Sequence, residues 1–170
     1  MNLFRPNSGV RTLLVGSALA ALAAVGVALV TQYVYDMQPC PWCVLQRLIF
    51  IALALSAALA LVWRSALGQR VGAGLALILA GCGAAAALWQ HFVAAASASC
   101  NQTLADRIIG FSGLDRLLPE VFAAYASCAE AKVNLLGLPY EGWSLGLFVL
   151  LAAALWRVIR RTSRDSTRWR

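Results

Sequence analysis

Two of the five cysteines form a Cys-x-x-Cys pair, Cys40 and Cys43, immediately before a long apolar run that begins at Val44. Two thiols at this spacing can exchange a disulfide with another dithiol or contribute to a metal site. Cys43 is expected in the first turn of a helix, where free N–H groups and the helix dipole favour a thiolate. Arg47 follows four residues later, on the same helical face and one turn deeper. The stretch is therefore predicted to carry thiol redox chemistry.

No metal site is predicted at these cysteines. A structural zinc site requires four ligands, commonly in closely spaced pairs. Cys100 and Cys128 are 28 positions apart, and His91 is the only histidine. Covalent haem attachment would require a histidine directly after the second cysteine, and Val44 occupies that position.

The elements that hold the pair follow from composition. Of the 170 residues, 61% are hydrophobic and 12% are charged, whereas a soluble domain is about 25% charged. Four apolar stretches, at about 12–31, 44–63, 71–89 and 142–160, approach the roughly 20 residues that span a bilayer core. Alternation of period two is absent from the sequence, so helices are favoured over a barrel. We predict one domain, residues 1–170: an all-α, integral membrane four-helix bundle with external loops at about 32–43 and 90–140. The second loop is expected to lie partly on the membrane.

The arginines predict the orientation. With four spans, both termini and the loop after the second helix share one side, which holds ten of the fourteen basic residues. The positive-inside rule makes that side cytoplasmic. Topology and anionic lipid account for the net charge of +7, so no nucleic-acid partner is predicted. Four cysteines then face the outside, where disulfides persist: Cys40, Cys43, Cys100 and Cys128. Cys82 falls inside the third helix and is interpreted as a packing residue.

Simpler interpretations stay open at this point. Arg47 could extend its charge to the lipid headgroups. The Cys40–Cys43 pair could be an inert disulfide, although so small a ring constrains the unfolded chain little. A Cys100–Cys128 disulfide could be purely structural, stabilising the loop by about 3–4 kcal/mol.

A thiol oxidase at the membrane edge also requires an electron acceptor. The sequence contains no Rossmann fingerprint and no flavin or haem signature. A lipid-soluble quinone needs only an apolar slot with a few polar groups. Gln46, Arg47 and His91 fall at the external ends of the second and third helices and are predicted to contact the quinone. His91 could donate a hydrogen bond or a proton to a quinone oxygen; an interfacial histidine without a role is the alternative.

Together these features resemble the DsbB family of disulfide-bond-formation proteins. The residues that carry the resemblance are CPWCVLQR at the head of the second helix, LPEVFAAYASCAE in the long loop, and LLGLPYEGWSLGLF entering the fourth helix. Each piece is weak alone, but the combination is specific and extends over nearly the whole chain.

The resemblance implies a bacterial inner-membrane enzyme with both termini cytoplasmic and its cysteine loops periplasmic. A reduced DsbA-like thiol oxidase would attack at Cys100, and Cys128 would pass to Cys40 in an interloop disulfide. Cys43 would remain as the thiolate beside a quinone, either ubiquinone or menaquinone, and Arg47 matches the family's arginine near that quinone. The alternative is a non-catalytic membrane scaffold with two structural loop disulfides. A third hypothesis, electrons fed outward, would usually need a cysteine reachable from the cytoplasm, and none is predicted there.

Overall fold

Four long helices dominate the computed structural model, which describes residues 8–63, 65–94, 103–131, 133–135 and 137–167. They are α1 (Ser8–Val34), α2 (Pro41–Val62), α3 (Ala66–Phe92) and, last in the chain, α7 (Tyr140–Thr167). Each contains an apolar window with a mean hydropathy between 1.8 and 2.5. The shortest has 22 residues and is about 33 Å long at 1.5 Å per residue, enough to cross a bilayer core of about 30 Å. The predicted all-α membrane four-helix bundle is confirmed.

Capping residues, rather than hydropathy, determine where these helices begin. Pro41 has the fixed φ that suits the first position of a helix, and α2 begins there instead of at the apolar run. The N-cap of α2 is Cys40, whose sulfur accepts a hydrogen bond from the backbone N–H of Cys43 at 3.3 Å. Ser65 caps α3 in the same way, accepting from Gly68 at 3.1 Å. Cys43 therefore lies inside the first turn of α2.

Small residues let the helices of the bundle approach closely. α2 is the most buried span and lies between α1 and α3, while α3 packs along α7. A Cβ added at Gly72 would lie 2.6 Å from the Cβ of Ala60. One added at Gly83 would collide with the ring of Phe148, which stacks on Phe50 with centroids 4.0 Å apart. Close packing of this kind is how membrane helices associate, because lipid removes the hydrophobic driving force between them.

The second predicted external loop contains three short helices. They are α4 (Leu104–Ser112), α5 (Leu114–Leu117) and α6 (Pro119–Phe122). A capping box between Thr103 and Asp106 begins α4, and Gly113, with a φ of 67°, separates α4 from α5. Exposed apolar side chains are typical of a segment that rests on a membrane surface, and this region exposes Leu104, Ile108, Phe111, Leu117 and Leu118.

A small β-hairpin connects the loop to α7 and was missed in the sequence. Strands β1 (Asn134–Leu135) and β2 (Leu138–Pro139) pair antiparallel, with Asn134 opposite Pro139. Gly137 provides the positive φ, 83°, that the turn requires. Two-residue strands are too short to produce a recognisable alternation, so the sequence pattern carried no signal for them.

Candidate active site

The sulfurs of Cys40 and Cys43 lie against each other at the external end predicted for α2. They are 2.8 Å apart, with both cysteines free. The extended backbone of Cys40, at φ −85° and ψ 165°, turns its side chain back over the first turn of the helix. The cap geometry thus holds the two thiols next to each other, as formation or opening of a disulfide requires.

Cys128 from the second loop joins this pair on the side of Cys40. Cys40 is fully buried and lies near Cys128. The pKa of Cys128 is lowered, chiefly because the neighbouring Cys40 thiol stabilises its thiolate. The pKa of Cys40 is raised, chiefly because its thiol interacts first with Cys128 and then with Cys43. Cys40 therefore interacts with both Cys43 and Cys128.

Backbone hydrogen bonds dock the second loop onto the first. The amides of Tyr125 and Ala126 both donate to the carbonyl of Pro39, at 3.0 and 3.3 Å. Pro39 directly precedes Cys40, so these bonds place the chain leading to Cys128 beside the pair. The predicted exchange residue Cys100 lies outside the described residues.

Gln90 of α3 also contacts Cys43. Its Nε2 donates to the Cys43 sulfur at 3.2 Å, and its Oε1 accepts from Nε2 of Gln46 at 2.7 Å. Both glutamines are buried. Gln46 was predicted to contact the quinone; the structure places it against Gln90 and in the wall of a cavity. Gln90 was not singled out in the sequence, although a polar residue at the end of an apolar span is itself a functional signal.

Arg47 is buried one turn below Cys43, with 5% of its surface exposed. Its Nη1 donates to Oε1 of Gln32 at 2.6 Å and to the carbonyl of Val121 at 3.1 Å. Its Nη2 donates to the carbonyl of Ala28 at 3.2 Å. A snorkelling arginine would keep its head in the interfacial water, whereas this guanidinium is enclosed by α1 and the second loop. Its Nε has no hydrogen-bond partner among the described residues.

A cavity of about 830 Å³ adjoins Cys43 and Arg47, between α1, α2 and α7. The polar and ionisable groups of its wall lie toward the predicted external ends of the helices, whereas the wall farther along the helices is apolar. From Thr31 to Ala20 its wall follows a stretch of twelve residues of α1, which is about 16 Å along the helix. The lining includes Thr31, Cys43, Gln46, Arg47, Phe50, Gln90, Tyr140, Glu141, Leu147 and Leu150.

His91 lies next to this cavity without lining it. Its Nδ1 lies 2.8 Å from Oε1 of Glu141, which does line the cavity. The His91 side chain is 46% exposed, whereas that of Glu141 is 8% exposed. Glu141, the second residue of α7, was not predicted as a site residue. Across the described part of the chain, no group of three or more histidine, cysteine or acidic residues is arranged to hold a metal ion.

Known proteins are similar to this chain in sequence. The family model described as disulfide bond formation protein DsbB matches residues 10–158. The chain belongs to the DsbB family. Its relatives include disulfide bond formation protein B of Herminiimonas arsenicoxydans, 34% identical over 146 residues, covering 85% of this chain and 92% of that protein. Disulfide bond formation protein B of Polaromonas naphthalenivorans (strain CJ2) is 31% identical over 158 residues, which cover 91% of this chain and 94% of that protein. As a DsbB-family member with four apolar helices, the chain is a multi-pass membrane protein of disulfide bond formation.

Proposed function

We propose that this protein reoxidises a periplasmic, DsbA-like thiol oxidase and passes the electrons to a membrane quinone, ubiquinone or menaquinone. One observation carries the proposal: Cys40 interacts with the loop cysteine Cys128, while its partner Cys43 lines the apolar cavity. A single dithiol thus contacts both a thiol from the loop and a compartment suited to a lipid-soluble molecule.

The cavity suits a quinone in size and in chemistry. Ligand pockets commonly measure about 300–1,000 Å³ and are apolar with a few polar groups, and this one measures about 830 Å³. Arg47 would hold a quinone oxygen, since its buried Nε lacks an acceptor in the described structure. Phe50, Leu147 and Leu150 line the deeper part, where an apolar tail would lie.

The cysteines supply a sequence of balanced exchanges. The partner's thiolate attacks a Cys100–Cys128 disulfide at Cys100 and frees Cys128. Cys128 attacks a Cys40–Cys43 disulfide at Cys40; the new S–S bond forms as the old one breaks, and Cys43 leaves as a thiolate. The partner's second thiolate then attacks the mixed disulfide, leaving oxidised partner and a Cys100 thiolate.

The second half of the cycle restores both pairs. Cys100 attacks Cys128 and releases Cys40, and Cys40 closes on Cys43 as two electrons leave the pair. A quinone held beside Cys43 and Arg47 would supply the two-electron acceptor and would take up two protons on becoming quinol. Gln90 and Arg47 would stabilise the Cys43 thiolate in the interval, the first by its hydrogen bond and the second by its positive charge.

The non-catalytic scaffold explains the thiol contacts less well. A structural disulfide needs only its own two sulfurs, so Cys128 would have no reason to contact Cys40. The contact between loops is required when one pair exchanges with the other, and it supports the oxidase.

A direct assay tests the proposal. Purified protein in detergent, kept free of oxygen, is mixed with quinone and a reduced DsbA-like oxidase, and quinone absorbance and partner thiols are followed together. We expect one quinone reduced for each partner disulfide formed, with Cys82→Ser as an active control because Cys82 is exposed on α3. Loss of partner thiols without quinone reduction would contradict the quinone-linked function.

The topology is part of the same proposal, with both termini cytoplasmic and both cysteine-bearing loops in the periplasm of the bacterial inner membrane. A membrane-impermeant thiol reagent should label Cys100 and Cys128 in reduced, intact spheroplasts. Labelling that requires permeabilised membranes would reverse the orientation.

A further inference from the structure

Glu141 is a carboxylate in an unusual place for a membrane protein. It lies in the first turn of α7, is 7% exposed, and lines the cavity that also contains Cys43. An ionisable group at the edge of the hydrocarbon is costly and commonly functional. Its partner is His91 of α3, 2.8 Å away, whose side chain is nearly half exposed. The pair therefore has one member in the cavity wall and the other at the protein surface.

The proposed reaction creates a demand for protons inside the cavity. The dithiol of the partner loses two protons outside the membrane, and a quinone takes up two when it becomes quinol. The electrons reach the cavity through Cys43, but this route does not carry the partner's protons. A second route, open to water at one end and to the cavity at the other, is needed.

Few groups in the described cavity wall could deliver a proton. The ionisable ones are Cys43, Arg47, Tyr140 and Glu141. Cys43 reacts as a thiolate, and a guanidinium does not release its proton in proteins. A phenol is a very weak acid, and the Tyr140 hydroxyl lies 3.4 Å from that of Thr31. A carboxyl group in contact with an imidazole exchanges protons readily near neutral pH.

Resting on the quinone-linked function proposed above, we infer that Glu141 is the proton donor of the cavity and that His91 resupplies it from external water. In each step the O–H bond of the Glu141 carboxyl breaks, and the proton goes to the acceptor oxygen. The carboxylate then takes the Nδ1 proton of the His91 imidazolium, and the imidazole regains one from water. Two such steps accompany the two electrons that Cys40 and Cys43 release as they close their disulfide.

The competing explanation is an ion pair that only ties α3 to α7. The variant Glu141→Gln separates the two, with Glu120→Gln as the matched control because Glu120 is exposed and outside the cavity lining. We expect quinone reduction at saturating quinone to slow by about a hundredfold, the lower end of general acid catalysis. Quinone affinity, measured by quenching of tryptophan fluorescence, and thiol exchange with the partner should stay at the control's values.

Two further measurements distinguish proton delivery from a structural tie. In Glu141→Ala, small weak acids added to the solution should restore part of the rate, and imidazole should do so in His91→Ala. Infrared difference spectra between the oxidised and reduced protein should show a carboxyl band that Glu141→Gln lacks, a readout independent of turnover.

The outcomes separate this inference from the function on which it rests. Wild-type quinone reduction with an unchanged rate in Glu141→Gln would overturn proton delivery and leave the oxidase intact. A lower melting temperature and weaker quinone binding, without a slower saturated rate or rescue by acids, would establish the structural tie instead. Absence of quinone reduction in the wild-type protein would refute the proposed function itself.

Discussion

Nε2 of Gln90 donates a hydrogen bond to the sulfur of Cys43 at 3.2 Å, across the interface between α3 and α2. The orientation of that amide is fixed, because its Oε1 already accepts from Gln46 at 2.7 Å. The sulfur that faces the cavity therefore meets an N–H donor. A donor held in this way stabilises negative charge on the sulfur whenever Cys40 releases it.

Replacing Gln90 with Leu, which is similar in size, should make Cys43 less reactive. A hydrogen bond to a charged group contributes about 1.5–3 kcal/mol, so alkylation of reduced Cys43 by iodoacetamide at neutral pH should slow by about tenfold or more. Gln69→Leu is the control, because Gln69 is also buried in α3 but lies near its opposite end. Equal alkylation rates in the two variants would show that the Gln90 contact does not activate the thiol.

Replacing Arg47 with Met should weaken quinone use more than it weakens partner exchange. The change removes a buried positive charge one turn below Cys43 together with a donor to the cavity, and the apparent quinone affinity should fall by about tenfold or more. Mixed-disulfide formation with the partner should persist, because Cys128 and Cys40 are untouched. Arg157→Met, at an exposed position of α7, controls for loss of charge, and quinone kinetics that match this control would remove Arg47 from the binding site.

The architecture was readable in the sequence because its signals are local. Apolar length predicted the spans, and the residues CPWC followed by Arg47 predicted a thiol pair above a buried charge. The contacts between distant segments were not readable from spacing or hydropathy. The pairing of Cys128 with Cys40 was implied only by the family resemblance, because no spacing encodes the docking of the loop on Pro39.

Which side chains of α3 point toward the site could not be predicted from the sequence either. The sequence drew attention to His91, but neighbouring residues on a helix point about 100° apart. In the structure Gln90 contacts Cys43, and His91 contacts Glu141 instead. Hydropathy indicated that the external end of α3 lies near Gln90 and His91. It contained no information about the rotation of the helix, which decides which of the two contacts Cys43.

The neighbouring thiol of Cys40 should make the ionisation of Cys128 depend on Cys40. Folding lowers the pKa of Cys128 from its ordinary value of 9.0, so its ionisation contributes stability that is present above 9.0 and lost as the pH falls through the folded value. The pKa of Cys40 is raised, so its contribution to stability has the opposite pH dependence. That contribution is present below pH 9.0 and lost as the pH rises through the folded value.

Cysteine labelled with ¹³C at Cβ reports each titration by NMR in the reduced protein. We expect Cys128 to titrate with a midpoint below 9.0 in the wild-type protein. The midpoint should rise in Cys40→Ala, which lacks the Cys40 thiol. Cys82→Ala should leave the midpoint of Cys128 where it is. A titration of Cys128 that is the same in all three proteins would exclude this interaction between the two thiols.

Oxidation of the partner depends on exchange between the two cysteine pairs, and the variant Cys128→Ser removes that exchange. Without Cys128, no disulfide is available at Cys100 for the partner to attack, while quinone can still oxidise Cys40 and Cys43. The measurement is oxidation of a reduced DsbA-like partner by the purified variant with quinone, with folding checked by thermal melting and Cys82→Ser as the control. We expect a folded protein that keeps Cys40–Cys43 oxidised and no longer oxidises its partner. A folded Cys128→Ser protein that turns over its partner at the rate of the control would contradict it.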